Sequence, residues 1–132
     1  MPVRKRGGQH SPFKTVAIGG VTIVVGTEVP NVINVTLQLT NDGKDIAERA
    51  SVICYLSDDA NGDSIAGTAP DSGMAIGTDG LAIVLVTDKC LLLVSESDGD
   101  IDLDIEESGT DTWYLIVVLP SGELVASAAI TF

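Results

Sequence analysis

Short apolar runs, interrupted by turn signals at a spacing of about ten residues, are the feature that most constrains this chain. In the clearest run, residues 32–39, Val35, Leu37 and Leu39 alternate with polar residues and so fall on one face of a β-strand. No amphipathic stripe with helical spacing continues for more than about two turns, too short for a helix that could stand on its own. Roughly seven or eight short strands at this spacing predict an all-β protein with a Greek-key sandwich architecture.

The predicted strands differ in the burial that their sequences indicate. Residues 50–56 are apolar on both faces, which predicts a central strand covered on both sides. Residues 81–86 are almost wholly apolar and are predicted to be buried, as are residues 90–94. The other runs that predict strands are 22–28, 112–119 and 124–132, and residues 57–73 predict a long loop.

One turn-strand unit is especially clear in the sequence. Asp98-Gly99 predicts a hairpin-type turn, because glycine adopts positive φ angles at little cost. In the strand that follows, Ile101, Leu103 and Ile105 alternate with acidic residues. The three aliphatic side chains are therefore expected to face the core.

The core must be built mainly from aliphatic side chains, since 45% of the 132 residues are hydrophobic but only 4% are aromatic. A chain of this length is expected to form one domain and to bury about two thirds of its unfolded surface. We assign residues 15–132 to this domain, leaving open whether residues 15–30 belong to it or to the preceding segment. Trp113 is predicted to be an ordinary core residue in preference to a ligand-stacking one.

Charge is distributed very unevenly along the chain. The net charge is −12, yet residues 1–14 contain four of the seven basic residues and no acidic one. Residues 15–132 carry three basic and nineteen acidic residues, which gives 3 − 19 = −16. A domain this acidic repels nucleic acid and anionic lipid, so neither is an expected partner.

The first fourteen residues are interpreted as an extended basic docking arm, with a solubilising tail as the alternative. They show neither helical nor strand periodicity and contain two prolines and two glycines. Their positive charge would orient an otherwise acidic protein on a partner surface. The predicted partner-binding residues are Arg4, Lys5, Arg6, Phe13 and Lys14.

The sequence lacks the residues of an enzyme active site. Its one histidine, His10, lies in the basic segment, so no Ser-His-Asp or Cys-His pairing is expected inside the domain. Cys54 and Cys90 lie in apolar runs without a cationic neighbour that would lower a thiol pKa. Buried free thiols are favoured for them, with a disulfide as the alternative. We therefore expect no enzyme and no cofactor.

Two acidic clusters, at residues 98–104 and 59–63, are the candidates for calcium sites in this sequence. Calcium requires about six to eight oxygen ligands around one point, which carboxylates alternating along a strand do not provide. Neither cluster has the glycine and glutamate positions of an EF-hand loop. No metal site is predicted; the carboxylates are interpreted as a solvated strand face and an exposed loop.

Two segments together resemble a known kind of protein: VTLQLTNDGKDIAERASVICYLSDDANG and SDGDIDLDIEESGTDTWYLIVVLPSGELVASAAITF. They are similar to small immunoglobulin-like structural proteins of tailed bacteriophages, over roughly three quarters of the chain. The resemblance implies an immunoglobulin-like Greek-key β-sandwich. It also implies a capsid decoration or cement protein on the exterior of the virion, with the major capsid protein and neighbouring copies of itself as partners. No functional residue carries over, because the family is defined by its architecture.

An adhesive or carbohydrate-binding immunoglobulin-like module of a phage fibre or tail is the alternative function. Such a module needs an exposed aromatic platform on which a sugar ring can stack. Tyr55, Trp113 and Tyr114 are the only residues that the sequence offers for it. An enzyme would require a site completed by residues of a partner chain.

Overall fold

A computed structural model describes residues 16–132, which form two antiparallel β-sheets and no helix. The predicted all-β sandwich is therefore confirmed. Seven strands have five or more residues and four are shorter. In chain order the strands are β1 (Gly20–Val25), β2 (Val32–Asn41), β3 (Lys44–Asp45), β4 (Ser51–Ser57), β5 (Met74–Ile76), β6 (Leu81–Val86), β7 (Cys90–Val94), β8 (Asp100–Glu106), β9 (Thr112–Val118), β10 (Leu124–Ala126) and β11 (Ile130–Thr131).

The two sheets, called sheet I and sheet II, divide the strands between them. Sheet I has the order β1-β2-β8-β5, with β3 paired to the end of β2. Sheet II has the order β10-β9-β4-β7-β6, with β11 paired to the start of β9. Every strand pair is antiparallel, and β1 pairs with β2 over six residues, so the segment that begins at Gly20 belongs to the sandwich.

The core lies between the sheets and consists of alternate residues of their long strands. On β8, Ile101, Leu103 and Ile105 are almost completely buried, as their spacing predicted. On β9, Leu115 and Val117 are buried on the face of sheet II that packs against sheet I. Strand side chains point alternately to opposite faces, and so a period of two in hydrophobicity is enough to build such a core.

Trp113 is an ordinary core residue, as predicted: only 1% of its surface is exposed. Its Nε1 donates a hydrogen bond to the carbonyl oxygen of Thr68 at 3.0 Å. Phe132 meets the indole edge to face, with the ring centroids 6.0 Å apart. The side chain therefore ties the long loop after β4 to the sandwich, while its buried N–H keeps a partner.

The turn at Asp98-Gly99 forms, but it does not make a hairpin. Gly99 has φ 86°, and a Cβ there would lie 2.8 Å from Ile46 Cγ1 and 3.0 Å from the carbonyl oxygen of Leu39. The turn leads from β7 in sheet II to β8 in sheet I, so the strands on either side of it are not paired. Local turn chemistry reverses the chain, but packing decides which strand the next segment joins.

The C-terminal segment, predicted as one strand over 124–132, is two short strands with a break at Ser127. Both β10 and β11 pair with β9. At the break, the Ser127 hydroxyl accepts a hydrogen bond from the Leu115 amide at 2.9 Å and donates one to the Ala128 carbonyl at 2.7 Å. The hydroxyl thus satisfies backbone groups at the point where the regular ladder is interrupted.

Matched valine truncations test where the core lies. Val35 is fully buried and Val29 is 68% exposed. We expect Val35→Ala to lower the free energy of unfolding by about 2 kcal/mol, because it removes buried methyl groups and leaves a cavity. Val29→Ala should change it by less than about 0.5 kcal/mol. Urea denaturation measures both; equal losses would contradict the described core.

Candidate interaction surface

The partner-binding residues predicted from the sequence are not among the described ones. Arg4, Lys5, Arg6, Phe13 and Lys14 all precede residue 16, and their docking role remains a prediction. The described chain begins next to sheet I, where Val16 and Ile18 are partly buried against the core. The amide of Gly19 then donates to the carbonyl of Thr40 at 2.9 Å, just before β1.

Strand β6 contradicts the prediction of burial for residues 81–86. It lies at the edge of sheet II and pairs with β7 alone. Its five large apolar side chains are 46–58% exposed: Leu81, Ile83, Val84, Leu85 and Val86. A continuous apolar run indicates that burial of both faces of the strand is favourable. It does not indicate whether other segments of the same chain bury them.

A continuous row of aliphatic side chains crosses the outer face of sheet II. Strand register places Ile83 beside Leu92, Leu92 beside Ile53, Ile53 beside Val118, and Val118 beside Leu124. We call these five residues the apolar row. Ile53 and Leu124 are 41% and 44% exposed, and Leu92 and Val118 are half-buried. The prediction that residues 50–56 are covered on both faces is therefore wrong at Ile53.

The long loop covers one part of this outer face and leaves the row open. Tyr55 donates its hydroxyl hydrogen to the carbonyl of Gly62 at 2.6 Å, and Ile116 is fully buried. Gly62 has φ 74°, and a Cβ there would lie 3.2 Å from Ile116 Cγ2. Asp59 Oδ1 holds the loop by accepting from the amides of Asn61 and Gly62, each at 2.9 Å. The Asp59 carboxylate thus satisfies two backbone N–H groups of the loop.

The outer face of sheet I is polar and acidic, in contrast to that of sheet II. Asn34 on β2 donates to the carboxylates of Asp102 and Asp104 on β8. Asp102 also accepts from the amide and hydroxyl of Thr78, at 3.0 and 2.7 Å. These bonds, from Asn34 first and then Thr78, lower the pKa of Asp102. The pKa of Asp100 is raised, by desolvation and by the nearby Asp98.

The two cysteines are free and point to opposite faces of sheet II. Cys54 is buried on the inner face, and burial raises its pKa to about 12. Cys90 pairs with Tyr55 on the outer face and is only partly buried, with a pKa that burial also raises. Free thiols are confirmed, whereas full burial was wrong for Cys90. Both thiols are protonated at neutral pH and are poor nucleophiles.

Residues 16–132 contain neither a metal-binding cluster nor a membrane-spanning helix. This part of the chain contains no cluster of three or more His, Cys, Asp or Glu placed to hold a metal ion. It also contains no helix long and apolar enough to span a bilayer. Arg49, one of the few cations described, lies 3.5 Å from Glu96 in an exposed ion pair.

Comparison with known proteins gives only a distant structural likeness. No family model matches the sequence, and no curated protein is significantly similar to it. Among solved structures, the chain is similar to a cohesin module from a Clostridium perfringens ATCC13124 family 33 glycoside hydrolase. The two share 13% identity with a TM-score of 0.46, over 88% of this chain and 97% of that module. A likeness this distant carries no functional argument.

The hydrogen bonds of Asp102 predict a pH-dependent contribution to stability. Because they lower the folded pKa, the stabilisation is complete above the unfolded pKa of about 3.9 and is lost as pH falls through the folded pKa. We expect Asp102→Asn to cost about 1 kcal/mol at pH 7. The difference from wild type should shrink as pH falls from about 5 to 2.

Urea denaturation at several pH values measures this difference. Glu106→Gln is the matched control, since Glu106 is exposed on the same strand and the substitution also replaces a carboxylate by an amide. A cost of Asp102→Asn that stays constant down to pH 2 would show that its charge is not involved.

Proposed function

We propose that this protein is a non-catalytic structural module that attaches to a larger protein assembly, and that the assembly is the head of a tailed bacteriophage. On this proposal it is a decoration or cement protein on the capsid exterior, with the major capsid protein and its own copies as partners. The observation that supports it best is the uncovered apolar surface of sheet II, made of the apolar row and β6. The sequence resemblance supplies the phage setting.

The apolar surface supports attachment because the exposure of a contiguous apolar area to water is unfavourable, and binding of a partner removes it. Large contiguous apolar patches on a folded domain mark sites of interaction. Here the patch belongs to a domain whose residues 15–132 carry a net charge of −16, so it is not a general property of the surface. Its position on a rigid sheet suits a docking role better than a catalytic one.

Charge supports a defined orientation on the partner. The basic residues before position 15 and the acidic outer face of sheet I give the protein two regions of opposite sign. A surface lattice of copies that all point the same way requires such polarity. The proposal places the basic segment across the capsid and the apolar surface against neighbouring subunits.

The adhesive or carbohydrate-binding alternative has less support. Trp113 is buried and its N–H is bonded to Thr68, so it offers no platform for a sugar ring. Tyr55 lies under the long loop with its hydroxyl bonded to Gly62. Tyr114 remains, half-buried, and residues 58–73 contain no aromatic side chain.

Binding of the purified protein to heads that lack it tests the proposal. The triple variant Arg4→Ser, Lys5→Ser, Arg6→Ser should bind at least tenfold more weakly near physiological salt, and wild-type binding should weaken as salt rises. The matched control replaces Lys44, Arg49 and Lys89 by serine, which gives the same net charge and removes cations of the sandwich instead.

Co-sedimentation with heads of the phage or prophage that carries the gene provides the measurement. Wild-type protein that does not bind these heads overturns the proposed function. Equal binding by the two triple variants would instead show that the basic segment does not contribute to head binding. The apolar surface would then be the remaining candidate for the contact.

A further inference from the structure

We infer that β6 is a self-association strand: two copies pair their β6 strands antiparallel across a two-fold axis at Ile83 and so join their sheets II into one. This inference rests on the proposed function, in which the apolar surface is a docking surface, and names a second copy as one of its occupants. Sheet II would then continue through β6 into the sheet II of the second copy.

Residues 81–84 of β6 lack features that prevent strand pairing. Natural edge strands are protected by charged side chains, proline, short length or bulges. Strand β6 has six residues without charge or proline, and its only register irregularity falls between Val84 and Val86. Residues 81–84 are regular and leave one side of the backbone free for a partner strand.

Comparison with β1 shows that this is a property of β6 and not of edges in general. Strand β1 is the other six-residue edge strand among the described residues. Its Val21, Ile23 and Val25 pack partly against the core, and Val24 is its only strongly exposed apolar side chain. On β6 the exposed side chains include Ile83 on the outer face and Val84, which pairs with the inward-facing Leu91. A strand exposed on both faces is suited to a partner that continues the sheet.

Strand geometry restricts where the two-fold axis can lie. Residues directly opposite each other in an antiparallel pair point to the same face, so an axis perpendicular to the sheet must pass through a residue position. An axis at Ile83 pairs Ala82 with Val84, within the regular part of β6, and places the two Ile83 side chains next to each other. The two apolar rows then become one continuous row across both copies.

The chemistry and size of the surface match a second copy. The five exposed side chains of β6 present on the order of 500 Å² per copy, or about 1,000 Å² for a pair, at the lower limit of specific interfaces. We therefore expect a weak dimer that becomes populated where copies are concentrated on a lattice.

The chain's own segment before residue 16 fits β6 poorly. That segment has four basic residues in its first fourteen positions, whereas β6 has no charge to complement them. The described chain also begins next to β1, while β6 lies beside β5 at the other edge of the sandwich. A second copy supplies an identical apolar strand instead.

Sedimentation equilibrium of the full chain, from about 1 to 500 μM, tests the inference at the affinity expected of a small interface. Wild type should show a reversible monomer–dimer equilibrium. Ile83→Lys should weaken the dimer at least tenfold, because it places two like charges opposite each other. Val24→Lys, the same charge change at an exposed apolar residue of β1, should leave the dimer unchanged.

A cross-linking measurement keeps the test sharp even if Ile83→Lys folds poorly. In a Cys90→Ser background, Ile83→Cys should be joined into a dimer by a short thiol-reactive bifunctional cross-linker, because paired Cβ atoms lie about 4.5–5.5 Å apart. Val24→Cys in the same background should not. Absence of the Ile83→Cys cross-link overturns the axis at Ile83.

Each outcome bears on a separate claim. A wild-type chain that stays monomeric throughout, or a dimer that Val24→Lys weakens equally, overturns self-association through β6. If a chain without residues 1–15 dimerises and wild type does not, the N-terminal segment occupies β6 and the inference is wrong. Dimerisation without head binding would support the inference and overturn the proposed function. Head binding by a monomeric wild type would support the proposed function and overturn the inference.

Discussion

Burial of alternate side chains between two sheets is the constraint on which the rest of this structure depends. Leu37 and Leu103 from sheet I belong to the same buried cluster as Leu93 and Leu115 from sheet II, and all four are almost completely buried. With few aromatic residues, the core must be filled by many branched aliphatic side chains, which favour extended backbone. The loops are then held to this core by individual polar contacts, as Trp113 holds the loop at Thr68.

The same alternation gives the two sheets outer faces of opposite chemistry. On sheet I the outward positions carry carboxylates and amides such as Asp102 and Asn34, which bond to one another and are well solvated. On sheet II they carry Ile53, Ile83 and other aliphatic side chains. One face is therefore well solvated, while the other exposes apolar area that is available to a partner.

Much of the fold could be predicted from the sequence, because strand alternation is a local signal. The inward residues of β2 and β8 followed from it. The apolar surface of sheet II could not be predicted, since a run such as residues 81–86 looks the same in a buried strand and at an open edge. The basic segment, the site that the sequence did indicate, lies outside the described residues.

By itself, the sequence determined the strand periodicity, the inward-facing side chains of β2 and β8 and the separation of positive from negative charge. Only the tertiary structure decided which strands became edges, that the turn at Gly99 joins two sheets, and that the long loop covers Ile116 but not Ile53. The physical reason is the separation along the chain over which each effect acts. Alternation and turn chemistry act between residues close in the chain, whereas exposure depends on which distant segments happen to pack alongside.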